Sequence, residues 1–181
     1  MTGAGGLLRE SDVQIFLLKM IILSIPLYLL IKFGDFTPLQ RLLALQLSNI
    51  LKSLGFWVDL KGTVVNLQGF SVAIVKDCLG WKSMLFLSAL IISTKAKWTE
   101  KTVGIALGIP VLYSLNIFRI TVTSLMGFFY GMEVFEFLHF ILWQVLMVLF
   151  VIALWVMWFR KRSFISEMLI IKSGRDGGRE R

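Results

Sequence analysis

Residues 102–125, TVGIALGIPVLYSLNIFRITVTSL, contain a single charge, Arg119. As a helix this stretch reaches about 36 Å at 1.5 Å per residue, more than the roughly 30 Å of a bilayer's hydrocarbon core. No water is available there to pair backbone N–H and C=O groups, so such a segment crosses as a helix. Three further apolar stretches, 13–33, 80–95 and 139–159, have the same character. The chain is 57% hydrophobic, against about 45–50% in soluble domains. The sequence therefore predicts an all-α integral membrane protein with about four transmembrane helices. One membrane-embedded domain covers residues 1–162, and a polar cytoplasmic tail covers 163–181. The polar, glycine-rich residues 1–12 read as a frayed end. No small-residue cleavage site follows 13–33, so that stretch reads as a retained anchor.

Two other segments depart from this pattern. In 38–56, Leu39, Leu43, Leu47, Ile50, Leu51 and Leu54 recur at helical spacing, with Arg41, Ser48, Asn49, Lys52 and Ser53 on the other side. That is an external amphipathic helix lying on the membrane surface or on the protein's own helices, with a fifth span as the alternative. Residues 57–77 are rich in β-branched residues and alternate around Gly69, which predicts a small β-hairpin. Its unpaired edges keep it out of hydrocarbon. It leads directly into Cys78.

The net charge of +8 does not indicate nucleic acid, because the cations flank apolar segments instead of forming one basic face. Lys95, Lys97 and Lys101 lie between two spans, and Arg160, Lys161 and Arg162 follow the last. The positive-inside rule puts both clusters in the cytoplasm. The ends of the helices bearing Cys78, Arg119 and His139 then share the external face. A lone cysteine excludes an internal disulfide, and one Cys with one His is too few for a zinc site. No metal or cofactor is implied.

The three groups have complementary chemistry. A thiolate is a nucleophile that nearby positive charge activates. Arg119 supplies such charge, or stabilises an oxyanion, and cannot act as a base. His139 titrates in the range needed for proton transfer. Asn116, three residues before Arg119 on the same helical face, is placed to orient it or a substrate carbonyl. Lys82 is placed to tune the thiol, and Glu136, three residues before His139, to orient the ring. Each has a plainer reading: a lone Cys packs, a helix-end His sits at the interface, and Lys82 snorkels. Arg119 is harder to dismiss, since a mid-span arginine costs about 2.5–3.5 kcal/mol on insertion scales.

An extended segment leading to Asp77-Cys78-Leu79-Gly80, then Asn116 to Arg119 as N-x-x-R, then a His opening the last span, resembles the exosortase/archaeosortase family over roughly residues 38–160. Many members have Ser or Thr where this chain has Leu79. The resemblance implies a membrane cysteine protease or transpeptidase with Cys78, Arg119 and His139 as its active site. It implies an exported protein with a C-terminal sorting signal as substrate, a lipid or other amine as acceptor, and a multi-pass cytoplasmic-membrane location with the site facing outside. The alternative is a non-catalytic membrane assembly subunit in which Arg119 pairs with a partner's carboxylate. A transporter is disfavoured by the few spans and the lack of an internal repeat.

The charge pattern sets a topology test. A reporter fused after Lys97 is expected to read cytoplasmic, and one inserted near Met132 external. The opposite result would put the three residues on the wrong face for export-linked chemistry.

Overall fold

The helices end where the sequence supplies stops. In the computed structural model, which describes residues 10–139 and 143–176, α1 spans Glu10–Phe33 and gives way at Gly34. Residues 1–9 of the expected frayed end lie outside the described residues. Asp35 then starts the next helix, accepting hydrogen bonds from the Thr37 backbone N–H (2.9 Å) and hydroxyl (2.6 Å). Helix α2 covers Thr37–Ser53 with Pro38 in its first turn, where the missing N–H costs nothing.

The amphipathic reading of this segment holds for Leu43, Leu47 and Leu51, but Ser48 of the expected polar side is buried, and Leu39 and Leu54 near the helix ends are exposed. Leu43, Ala44, Leu47, Ser48 and Leu51 are buried along one face of α2. That face packs on the protein itself, against the sheet, the cysteine turn and a long helix that follows.

The extended segment is a three-stranded antiparallel meander, not a hairpin. Its strands are β1 (Val58–Lys61), β2 (Val64–Leu67) and β3 (Phe70–Ala73), in the order β1-β2-β3. Two two-residue turns make the difference. Gln68 (φ 33°) and Gly69 (φ 103°) join β2 to β3 with both residues in the left-handed region. Gly62 (φ 64°) supplies a second turn between Lys61 and Val64, which the hairpin reading had absorbed into one strand. Val58, Val65, Leu67 and Val72 are buried with the α2 leucines, and Asp59, Lys61, Ser71 and Ala73 are exposed.

A single 3₁₀ turn, Lys76–Leu79, leads to α3 (Trp81–Ser93). Helix α4 (Trp98–Tyr130), the short α5 (Met132–Phe137) and α6 (Trp143–Asp176) follow. Among the described residues, Trp98–Tyr130 and Gln144–Lys161 are long and apolar enough to cross a membrane. Of the other two expected spans, 80–95 is cut short. At 13 residues, α3 reaches only about 20 Å, short of the hydrocarbon thickness. It is bounded by Gly80 in the left-handed region and by Thr94 in extended backbone. Helix α1 is 24 residues long and carries Lys19 and Pro26 within its apolar run. Helix α6 passes through the expected domain boundary at 162 without a break and continues to Asp176.

Two hydrophobic cores result. One joins α2, the sheet, Cys78, Leu79 and Ile120 of α4. The other joins Leu87, Leu90 and Ile91 of α3, Leu112 of α4, and Met147, Val151 and Trp158 of α6. The α3–α4 turn is clamped by α6: the Trp155 indole donates to Thr94 Oγ1 (3.1 Å) and the Trp158 indole to the Glu100 carbonyl (3.0 Å).

Gly104 and Gly108 differ in what a side chain would meet. A Cβ on Gly104 would lie 2.4 Å from Trp158 Nε1, an atom already held by a hydrogen bond, whereas one on Gly108 would meet only the flexible end of Leu87 at 2.5 Å. Gly104→Ala is expected to destabilise the helical core by about 1–3 kcal/mol and Gly108→Ala by less, measured by unfolding in detergent. Equal effects would contradict the indole clamp.

Candidate active site

The cysteine turn is built by local rules. Val75 is extended, the Cys78 N–H donates back to the Val75 carbonyl (2.9 Å), and Gly80 closes the turn at φ 70°. Lys76 reaches from the turn to the end of α1, donating to the carbonyls of Gly34 (2.7 Å) and Lys32 (3.0 Å). From α4, Asn116 Nδ2 donates to the Cys78 carbonyl at 2.7 Å, and the Asn116 side chain is fully buried. A Cβ on Gly80 would sit 2.8 Å from Asn116 Cγ, so glycine is required both by the backbone angle and by this close approach.

A cleft of about 380 Å³ opens beside the turn. Asp77, Gly80, Lys82, Ser83, Asn116, Arg119 and His139 line its polar part, and Gln144, Met147, Val148 and Val151 of α6 form part of the opposite wall. Four of the sequence-derived residues, Lys82, Asn116, Arg119 and His139, therefore share one cavity. Cys78 lies behind its wall: it is buried (5% exposed), with neighbours Asp77 and Gly80 on the lining.

Arg119 stands about 32 Å along α4 from Trp98, at 1.5 Å per residue. Its Nε and Nη2 are buried and have no hydrogen-bond partner among the described residues. The guanidinium is close enough to act electrostatically on both the thiol and the imidazole.

His139 stands in a helical turn between two described helices. It lies past α5 and ahead of α6, with 140–142 outside the described residues. Its ring stacks on Phe135 (centroids 5.6 Å, planes 4° apart), and Phe135 meets Phe70 of β3 edge-on at 5.6 Å. Phe70 in turn occupies the space over Gly127 of α4. The sequence reading missed this aromatic chain, whose signal was Phe70 on a strand and Phe135 four residues before the histidine.

Lys82 and Glu136 part company. Lys82 lines the cleft, pairs with Asp77 at 3.1 Å and lies over the Trp81 ring. Glu136 is exposed on α5 and is not among the lining residues. Asp77, Ser83 and Gln144 were not singled out. Ser83 puts a hydroxyl on the cleft, while Leu79 is buried in the first core.

Burial pushes the Cys78 thiol up from its ordinary value. A backbone hydrogen bond with Val75 and the Arg119 charge pull it down by less, and Asp77 adds a smaller upward push. Burial also lowers His139, helped by Arg119 and opposed by Asp77. Both shifts favour a neutral thiol beside a neutral imidazole at rest.

With this geometry in view, the comparison with known families is decisive. The transmembrane exosortase model (Exosortase_EpsH) matches residues 7–159. This chain belongs to the exosortase family. No curated protein and no solved structure matches it. Membership makes it a membrane protein, in keeping with the two long apolar helices, and suggests a transpeptidase role.

The charges around the exosortase thiol set a pH test. Thiolate forms as pH rises through the thiol pKa, so the midpoint of Cys78 alkylation is expected above that of a free thiol. Arg119→Gln removes a downward pull and should move the midpoint higher. Asp77→Asn removes an upward push and should move it lower. Shifts of the opposite sign, read by mass spectrometry across pH, would contradict the assignment of these charges.

Proposed function

We propose that this exosortase is a membrane cysteine transpeptidase. It cleaves the C-terminal sorting signal of exported proteins at the outer face of the cytoplasmic membrane and passes the new C-terminus to an amine acceptor, on a lipid or another molecule. The observation that carries this reading is the Arg119 guanidinium, whose buried Nε and Nη2 have no hydrogen-bond partner among the described residues. It shares a cleft with His139 and acts on the adjacent Cys78, in a chain of the exosortase family.

The chemistry follows from the charges. His139 takes the Cys78 proton, and the thiolate attacks the scissile carbonyl carbon. The carbonyl oxygen becomes an oxyanion that the Arg119 fork stabilises with directed N–H donors. The C–N bond then breaks, the leaving amine takes the proton from His139, and the acyl group remains as a thioester on Cys78. An acceptor amine attacks the thioester, gives its proton to His139, and the thiolate leaves. Water in place of the amine gives hydrolysis. Asp77 and Lys82, already paired, set the local field and transfer no proton in this scheme.

Processing of a C-terminally tagged substrate tests the roles, with membrane levels of each variant as control. Cys78→Ala should abolish processing, and Cys78→Ser should be nearly as inactive, because a hydroxyl is far less ionised near neutral pH. Arg119→Lys keeps a charge that can reach headgroups but loses the planar fork. It should insert normally and lose about 100-fold or more in turnover, by analogy with loss of an oxyanion donor. Near-normal processing by Arg119→Lys would reject a catalytic guanidinium and favour an assembly subunit in which the arginine pairs with a partner.

A further inference from the structure

We infer that Asn116 binds the substrate's main chain, its Oδ1 accepting a hydrogen bond from a peptide N–H beside the scissile bond. This rests on the transpeptidase reading above and adds a residue to it.

The orientation of the amide is fixed by its other half. Nδ2 donates to the Cys78 carbonyl, and a carbonyl accepts only from a donor, so Oδ1 must point away from that carbonyl, past Gly80. Asn116 is fully buried, and Oδ1 accepts from no group among the described residues. A buried acceptor left unpaired is costly and uncommon. The same side chain lines the cleft, so a ligand there is the natural source of the missing donor.

Gly80 keeps the approach open. It lines the same cleft, and a Cβ at that position would lie 3.0 Å from Oδ1. Any side chain at 80 would cover the acceptor.

Arg119 gives the site its polarity. It follows Asn116 by three residues, so the two side chains rise from one face of α4 about 5–6 Å apart at Cβ. Asn116 offers one unpaired acceptor, and Arg119 offers unpaired donors. An extended polypeptide presents an N–H donor and a C=O acceptor side by side along one edge, the pair that these two side chains complement. The sequence had suggested Asn116 for a substrate carbonyl. The unpaired atom is an acceptor, so its match is the N–H, and the carbonyl falls to Arg119. Recognition through the main chain leaves the side chains beside the cleavage point to be read elsewhere.

The test uses the full chain in its membrane and a synthetic peptide spanning the cleavage point of an exported protein that the wild type processes. A companion set replaces each backbone amide flanking that point, one at a time, by an ester that lacks the N–H. Affinities are measured on Cys78→Ala, which binds without turnover and keeps the residue-78 carbonyl. One ester position is expected to bind about tenfold more weakly than the amide. On Cys78→Ala/Asn116→Ala that one loss should vanish, with ester and amide binding alike and the other positions unchanged. A merely structural role for Asn116 would weaken all peptides equally and leave the ester pattern intact, which overturns the inference. If the alanine variant fails to insert, Asn116→Ser takes its place. A flat ester scan on Cys78→Ala alone is also sufficient to reject the inference. Processing that survives Cys78→Ala would instead overturn the transpeptidase reading itself, so the two failures are distinguishable.

Discussion

The hydrogen bond from Asn116 to the Cys78 carbonyl is the joint on which the site depends. On one side lies the core of α2, the sheet and the cysteine turn, and on the other lies the core of α3, α4 and α6. The turn belongs to the first core, yet its carbonyl is held by the helix that carries the second. The nucleophile is thereby fixed one helical turn from Arg119, because Asn116 and Arg119 are three residues apart on α4. Gly80 is what allows this contact: at φ 70° and 2.8 Å from Asn116 for any added Cβ, the position excludes every side chain.

Electrostatics then decide how the thiol rests. Two opposite charges act on Cys78, and that of Arg119 outweighs that of Asp77. Asp77 is mostly exposed and paired with the equally exposed Lys82, so solvent screens it, and such a pair contributes little to stability. Burial outweighs both charges and holds the thiol neutral. A buried neutral thiol is protected from oxidation and casual alkylation, at the cost of needing a base when substrate arrives. Burial of His139 keeps that imidazole unprotonated and able to accept.

The parts of this arrangement that the sequence made legible are those carried by rare residues. Cys78, His139 and the lone charge of 102–125 stood out because each is singular in its setting, and the N-x-x-R spacing put Asn116 on the Arg119 face without any contact being known. The amphipathic face of α2 followed from periodicity. Span number was less accessible, because hydropathy does not register that Gly80 and Thr94 cut α3 to 13 residues. The second turn of the sheet was hidden in Lys61-Gly62-Thr63, where one glycine carries the whole signal. Asp77, Ser83 and Gln144 are ordinary polar residues in sequence, and only tertiary packing brings them to one cleft.

The sheet also explains how a distant histidine is brought to the cleft beside the cysteine turn. Phe70 on β3 fills the space over Gly127 of α4, Phe135 packs edge-on against Phe70, and the His139 ring stacks on Phe135. The same face of the sheet, through Val58, Val65, Leu67 and Val72, shares a buried core with Cys78. One face of this small meander therefore packs with the nucleophile and, through Phe70, supports the histidine's aromatic stack, both referenced to α4. Such a sheet has open backbone edges at β1 and β3, which hydrocarbon cannot satisfy. It must remain at the water-facing end of the helices, and it holds the cysteine turn there too. The depth of the chemistry is thus set by the backbone's need for hydrogen bonds, and the arginine has only to reach that depth along its own helix.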